Sequence, residues 1–351
     1  MLDPRDSNSQ DEDGGVGFFE YDPSHILPAV FAALVGLSMV FHVYQNFRYR
    51  FWRVTFFMVY GGIVYFAGWI LRTIATYHPS NLNIFIAQTV LTYAGPPIYS
   101  AAAYNLVGRL MHYLPMFATL NPNRVVYFFV YLGALVEALT GAGAGRLATA
   151  GDDKDRYRSG GTLISVSLVL QAVVETLLIA MVATLHYRCS KANMLTRNVK
   201  IVCFTLYGTS TFVILRCVFR AIESFTTYFS DNCEGICATI SHNEWYIYAL
   251  EVAPMVIFTY WLNILHPGRQ LPSNRSRYLD YNKVERIGPG WTDKRSALMT
   301  FIDPLDFIGI MNGEASHEKY WLNPEAWPIC DDSFAEGTAS NVPGKSQPSK
   351  V

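Results

Sequence analysis

The chain has 351 residues, of which 51 % are hydrophobic and 16 % are charged, and its formal net charge is −1. Soluble domains carry about 25 % charged residues, so the composition argues against a water-soluble fold. A near-neutral chain also lacks the basic excess that a nucleic-acid-binding surface requires, and we expect no nucleic-acid partner. The acidic N-terminal segment, residues 1–24, lacks the basic start of a signal peptide, so the first apolar segment is expected to direct insertion.

Seven apolar segments follow in chain order. A membrane-spanning helix needs about 20 mostly apolar residues, because the hydrocarbon core is roughly 30 Å thick and each residue rises about 1.5 Å. These segments are apolar on nearly every face, whereas helices of a soluble core have a polar face. They are residues 25–45, 54–76, 84–106, 125–147, 162–187, 199–222 and 245–266. We therefore predict an all-α integral membrane protein, with a seven-transmembrane helix bundle over residues 25–267.

Lys and Arg residues are distributed unevenly among the connecting loops. The first, third and fifth loops and the residues after the seventh segment are basic, whereas loops 77–83 and 224–244 contain no Lys or Arg. The fourth loop, near residues 146–158, is an exception in which basic and acidic residues alternate. Because Lys and Arg collect on the cytosolic side, we predict that the N-terminus is extracellular and that the tail, residues 268–351, is cytosolic.

The sixth loop contains Cys233 and Cys237. On the predicted outer side, where conditions are oxidising, they form either a local structural disulfide or two free thiols.

The tail becomes polar and rich in Pro, Ser, Asn and Gly, and we predict that it is largely disordered after about residue 333. Trp291, Trp321 and Trp327 mark either an interfacial or partner-binding segment or, as we favour, a loosely packed tail.

Charged residues in the last two segments are spaced to share helix faces. An ionisable group inside a membrane is costly unless it is paired or hydrated, so each is a candidate for a functional site. Arg216, Arg220 and Glu223 have the spacing i, i+4, i+7, and Glu251 follows Glu244 by the same seven residues. At about 1.5 Å per residue, Arg216 and Glu251 both lie roughly 10 Å below the outer surface. We predict that they form an ion pair.

Further polar residues fall in the same outer half or near the middle of the membrane: Arg72, Glu137, Gln171 and, deeper, Glu175. Together with the pair above they predict a polar cavity surrounded by aromatic and aliphatic side chains. Such a cavity suits an amphiphile, with its head group against Arg and Glu. The alternative for each residue is a structural hydrogen bond between helices.

Gly95, Pro96 and Pro97 interrupt the third segment, and Pro254 lies in the seventh. Proline removes a backbone hydrogen bond and kinks a helix. Such positions line substrate sites in many transporters, although a static kink is at least as common.

The sequence resembles the fungal RTA-like family of lipid-translocating exporters. Members of this family include proteins associated with resistance to 7-aminocholesterol and to sphingoid long-chain bases. The resemblance covers about residues 25–270. Its strongest part is Arg216, Arg220 and Glu223, followed across the loop by Glu244, Trp245, Tyr248 and Pro254; Gly68, Trp69 and Arg72, and the run Ala94–Pro97, are also similar. The sequence departs from the family pattern at Tyr65, where the family has an acidic residue, and at Glu251, where it usually has Asp.

The resemblance implies outward translocation or binding of amphiphilic lipids, such as sphingoid bases and sterol-like molecules, with resistance to them and a plasma-membrane location. Membrane lipids are then the expected partners, and we expect no cofactor, no metal and no enzymatic activity. One alternative is a seven-transmembrane receptor or sensor of lipids or membrane stress. The other is a zinc-dependent intramembrane lipid hydrolase, against which the scattered histidines argue, because zinc requires several convergent ligands.

Overall fold

The computed structural model describes residues 17–19, 21–118, 120–151, 153–229, 235–291, 299, 303, 311 and 319–330. The predicted Cys233–Cys237 disulfide lies outside these residues, because Cys233 is not among them and only the backbone of Cys237 is described. The stretch after about residue 333, predicted to be disordered, also lies outside them.

Each of the seven apolar segments coincides with a long helix. The first six helices are α1 (Leu27–Tyr49), α2 (Trp52–Tyr77), α3 (Leu82–Tyr113), α4 (Pro122–Ala148), α5 (Lys154–Lys191) and α6 (Arg197–Phe229). A short helix, α7 (Ile236–Ser241), precedes the last long one, which consists of a π-helical part (Ile247–Val252) and α8 (Ala253–Ile264). α5 begins eight residues before its apolar segment, because Asp153 caps it by accepting hydrogen bonds from the backbone N–H groups of Asp155 and Arg156.

The protein is an all-α integral membrane protein. Six of these long helices are long and apolar enough to cross a membrane, and α3 is not among the six. α3 has 32 residues and therefore exceeds the required length, but it carries polar side chains such as Gln88, Thr92 and Asn105. Its position explains them, since it contacts α2, α4, α5 and α6 and most of its side chains face other helices.

The helices form a closed bundle. Each long helix packs against the next in the chain, and the last one packs against α1 as well as α6. α3 crosses the interior and touches α6. The buried core contains large side chains from several helices, including Trp69, Tyr65, Tyr99, Tyr104 and the charged Arg216.

Glycines allow α2 and α3 to approach closely. A Cβ atom at Gly68 would lie 2.9 Å from the backbone nitrogen of Thr92. A Cβ atom at Gly95 would lie 2.5 Å from the ring of Tyr65. Small residues at such interfaces favour helix association in membranes, because dispersion contacts grow as the backbones approach. Despite Pro96 and Pro97, α3 remains one helix throughout its length.

We expect Gly95→Ala to destabilise the fold by about 1–3 kcal/mol, the usual cost of inserting a methyl group into a packed interior. The loss would be measured by thermal or denaturant unfolding of the purified protein in detergent. Gly141→Ala is the matched control: this helical glycine has no neighbouring atom within 4 Å of its would-be Cβ. Equal stabilities of the two variants would contradict the proposed close contact with Tyr65.

The segment after α8 packs on the end of α3. Strands β1 (Arg277–Leu279) and β2 (Glu285–Ile287) form an antiparallel hairpin. The hydroxyl of Tyr113, the last residue of α3, donates to Glu285 at 2.6 Å. A buried cluster then joins this hairpin to the later residues: Tyr278, Trp291, Tyr320 and Trp321, with Trp327 packed against it. The expectation of a loosely packed tail is therefore wrong for the tryptophans, because they belong to this cluster and Met116 and Ala118, which follow α3, pack against it.

Candidate functional site

A cavity of about 580 Å³ opens at one end of the bundle. It lies among the first turns of α3 and α5 and the last turns of α2, α4 and α6. Its charged lining residues are Arg72, Arg220, Glu223 and Glu251. Most of the remaining wall is aromatic or aliphatic, with Phe18, Phe19, Tyr21, Trp69, Phe85, Tyr93, Tyr157 and Tyr228 as its aromatic residues.

The ion-paired centre of the site lies between α6 and the π-helical part of the last helix. The predicted pair is present: Nη2 of Arg216 lies 3.6 Å from Oε1 of Glu251. Arg220 lies closer, with its Nη2 2.9 Å from Oε2 of Glu251, and it also pairs with Glu223. Its guanidinium is 4.4 Å from the centre of the Tyr93 ring, a cation–π contact. Arg220 is thus the residue that connects Glu223, Glu251 and α3.

The π-helical turn determines where Glu251 points. The backbone N–H of Ala253 bonds to the carbonyl of Tyr248, five residues earlier, and Pro254 follows directly. Proline has no N–H to donate to the carbonyl four residues back, so the regular α-helical ladder is broken at this point. The wider turn places Glu251 against α6, whereas Glu244 faces α2. Such π-helical turns occur frequently at functional sites.

A second ion pair, between Arg72 and Glu244, lies at the edge of the cavity next to the N-terminal segment. Arg72 lies 3.3 Å from Glu244 and donates a hydrogen bond to the hydroxyl of Tyr21. Glu244 also accepts hydrogen bonds from the Tyr248 hydroxyl at 2.8 Å and from the backbone N–H of Ser24 at 2.9 Å. The segment before α1 is therefore anchored over the cavity, and it contributes Phe18 and Phe19 to the wall. The prediction from sequence did not include this segment, although three aromatic residues within four positions were a signal.

Three of the predicted residues lie outside the wall. Arg216, Glu137 and Gln171 are not among the residues that line the cavity. α5 contributes Tyr157 and Ile164 to the wall, and Gln171 lies about two helical turns deeper than Ile164. Arg216 lies behind the wall, where it holds Glu251. The cavity therefore contains four of the seven predicted residues directly and a fifth through an ion pair.

The deeper region is polar and incompletely hydrogen-bonded. Glu175 is fully buried and accepts a hydrogen bond from the Tyr104 hydroxyl at 3.0 Å. Within the described part of the chain, Gln171 Nε2, Glu137 Oε1 and Nε of Arg216 are buried without a hydrogen-bond partner. An unsatisfied buried polar group costs about 1–3 kcal/mol, so several in one region indicate a place for water or for polar groups of a ligand.

The charges of the site balance. Three arginines (Arg72, Arg216 and Arg220) face three glutamates (Glu223, Glu244 and Glu251). Among the glutamates bound by Arg220, Glu223 is the more accessible, with 19 % of its side chain exposed against 2 % for Glu251. Glu223 is therefore the carboxylate that a cationic group in the cavity reaches first.

An apolar groove lies beside the cavity, on the side of the helix bundle between α5 and α6. Its residues include Val169, Val173, Val218, Ile222 and Phe225. Leu168 borders the groove and packs with Tyr93 and Ile164, which line the cavity. The ion-paired cavity and the apolar groove are thus separated by one layer of side chains.

Fold and site together define an integral membrane protein whose helix bundle encloses an ion-paired cavity. The family model described as "RTA1 like protein" matches residues 58–274. The chain belongs to this RTA1-like family.

Named relatives agree with this assignment. The chain is 30 % identical, over 85 % of its length, to the lipid-translocating exporter-like protein RTA1 of Leptosphaeria maculans, of which the match covers 60 %. It is also 30 % identical to the protein of the same name from Ajellomyces capsulatus, over 70 % of this chain and 77 % of that one. The protoporphyrin uptake protein 1 of Saccharomyces cerevisiae is 25 % identical over 56 % of this chain and 63 % of its own length. No solved structure matches the chain.

Proposed function

We propose that all seven long helices cross the plasma membrane, with the N-terminus outside and the C-terminus in the cytosol. α3 is the seventh crossing, since it lies inside the bundle where its polar residues avoid lipid. The orientation is supported by the basic loops at the end opposite the cavity, because Lys and Arg collect on the cytosolic side. In this orientation the cavity opens toward the outer leaflet.

We propose that the protein binds amphiphilic lipids in this cavity and translocates them outward, thereby conferring resistance to them. The supporting observation is the charged, aromatic-lined cavity adjacent to an apolar groove. A head group that is charged or hydroxylated fits among Arg72, Arg220 and Glu223. An aliphatic tail reaches the groove between α5 and α6 when the intervening layer of side chains, which includes Leu168, moves aside. The names of the relatives refer to lipids in two cases and to protoporphyrin, another amphiphile, in a third.

Sphingoid long-chain bases are the substrates that we propose first, followed by sterol-like amphiphiles. A sphingoid base has a cationic amine beside hydroxyl groups and one long chain. The amine pairs with Glu223, and the hydroxyl groups accept hydrogen bonds from Arg72. The unpartnered groups around Gln171 and Glu175 then provide a polar route toward the middle of the membrane.

Transport in this proposal is not driven by ATP bound to this chain. The nearest resemblance to a phosphate-binding Walker A loop is Gly344-Lys345-Ser346, and Ala339 occupies the position of its first glycine. Translocation is therefore facilitated, coupled to an ion, or driven by a partner. We propose no catalytic step and no cofactor.

Efflux from proteoliposomes that contain only this protein tests the proposal. Phytosphingosine labelled at the end of its aliphatic chain would be loaded inside, and its appearance outside would be followed with and without an ion gradient. Faster efflux than from protein-free vesicles is expected. Binding without efflux would reduce the proposal to lipid binding, and neither binding nor efflux would overturn it. Stoichiometric zinc in the purified protein, with lipid hydrolysis, would support the hydrolase alternative instead.

A lipid sensor is the second candidate, and the continuity of α3 favours it. α3 contributes Tyr93 to the wall of the cavity. Its last residue, Tyr113, donates a hydrogen bond to Glu285 in the tail. A rigid helix that contacts both sites is able to report occupancy of the cavity to the cytosolic side. Recovery of a signalling partner with the tail, together with unchanged lipid asymmetry after gene deletion, would favour sensing over transport.

A further inference from the structure

Three arginines from separate chain segments lie together at the end of the bundle opposite the cavity. Arg53 is in the first turn of α2, Arg109 is one turn before the end of α3, and Arg275 is in the segment after α8. Arg53 and Arg275 are exposed, whereas Arg109 is 5 % exposed.

The packing of α2 on α3 brings the first two arginines together. Gly61 packs on Tyr99, and Gly68 packs on Thr92, so seven residues forward along α2 correspond to seven residues backward along α3. The same antiparallel register places Arg53 beside residue 107, next to Arg109.

Hydrogen bonds from Arg109 position the third arginine. One nitrogen of the Arg109 guanidinium, Nη2, donates to the backbone carbonyls of Pro272 and Asn274. This clamp holds the residue that follows, Arg275, at the end of α3, and Arg53 and Arg275 are both within electrostatic reach of Arg109.

The three positive charges have no acidic partner in the described ranges, where no carboxylate lies within ion-pair distance of any of them. Partial loss of hydration and, after it, the charge of Arg53 lower the pKa of Arg275 below its ordinary value. The other terminal nitrogen of Arg109, Nη1, is buried without a hydrogen-bond partner. Like charges at close range and an unsatisfied buried donor are both unfavourable, and one bound anion relieves both.

We propose that Arg53, Arg109 and Arg275 bind a phosphate monoester group, carried by an anionic lipid head group or present as a free anion. The planar guanidinium presents paired donors that match phosphate oxygens. The site lies where apolar helices end, at the level of lipid head groups, and basic pockets between helices on the cytosolic side bind anionic lipids in other membrane proteins. This site is separate from the cavity and does not depend on the function proposed for it.

Native mass spectrometry of the full-length protein in detergent tests the proposal. Phosphatidic acid and phosphatidylcholine with the same acyl chains would be compared as ligands. The unmutated protein is expected to retain phosphatidic acid at concentrations about tenfold lower, since a hydrogen bond to a charged group contributes about that factor. Arg53→Gln and Arg275→Gln are each expected to remove most of this preference. Arg188→Gln, which removes an exposed positive charge from the same end of the bundle, is expected to preserve it.

Competition with inorganic phosphate distinguishes the two sources of the phosphate group. Displacement of phosphatidic acid by excess phosphate identifies a site for the free anion, whereas retention identifies a lipid site. No preference for phosphatidic acid in the unmutated protein would overturn the proposal. The same loss in Arg188→Gln as in the two cluster variants would also overturn it, because general attraction by positive charge would then explain binding.

Discussion

Glu251→Gln is expected to destabilise the protein by about 3–5 kcal/mol and to abolish lipid binding. Breaking a buried ion pair by removing one partner leaves an uncompensated charge in a low-dielectric interior. Here two arginines lose their common partner, since Arg216 lies 3.6 Å and Arg220 2.9 Å from the carboxylate of Glu251. Arg216 is 1 % exposed. Unfolding in detergent and phytosphingosine binding to the purified protein measure the two effects.

Glu251→Asp is the matched control, because it keeps the charge and shortens the side chain by one methylene. It is expected to retain more than half of the stability that Glu251→Gln loses. Equal stability of Glu251→Gln and the unmutated protein would contradict the role of the ion pair.

The double substitution Arg216→Glu with Glu251→Arg reverses the charges of the pair. Compared with either single substitution, it is expected to recover only part of the phytosphingosine binding. The arginine introduced at position 251 restores a pair with the new glutamate but faces Arg220, which lies 2.9 Å from the present carboxylate. From the sequence, Arg216, Arg220 and Glu251 were the predicted centre of the polar cluster, with an ion pair between Arg216 and Glu251. The structure contains that pair and adds the contacts of Arg220 with both Glu223 and Glu251.

Glu223→Gln is expected to weaken binding of phytosphingosine by about tenfold to a hundredfold while leaving the fold intact. A hydrogen bond to a charged group contributes about 1.5–3 kcal/mol, and about 1.4 kcal/mol corresponds to a factor of ten in affinity. The fold is expected to survive because Arg220 keeps its pair with Glu251. Titration of the purified protein with fluorescent phytosphingosine measures the change.

Two controls accompany the Glu223 variant. N-acetylated phytosphingosine has no positive charge, and its affinity is expected to change less than threefold in Glu223→Gln. Glu325→Gln makes the same chemical change at an exposed position of the tail, outside the cavity wall, and is expected to leave binding unchanged. Equal loss for both ligands would show that Glu223 maintains the shape of the cavity rather than pairing with the amine.

Apolar length and the helical period were sufficient to predict the helices, the class of protein and the faces on which charged residues lie. These properties are local, because the hydrocarbon core demands about 20 apolar residues in a row whatever the neighbours are. The ion pair of Arg216 and Glu251 was predictable for a related reason, since two consecutive helices joined by one loop place residues at equal depth. The central position of α3, by contrast, follows from no local rule, and this position explains why α3 carries polar side chains.

Contacts between distant parts of the chain were decided only by the tertiary structure. Arg72 pairs with Glu244 and Tyr21, and Arg109 clamps the segment after α8, although these partners are far apart in the sequence. A hydrophobic period specifies which face of a helix avoids lipid but does not specify which helix will cover that face. The sequence alone therefore determined a membrane bundle with charged residues buried in its last two helices. Packing determined which of them meet in a cavity, since helix neighbours depend on close contacts such as that of Gly95 with Tyr65.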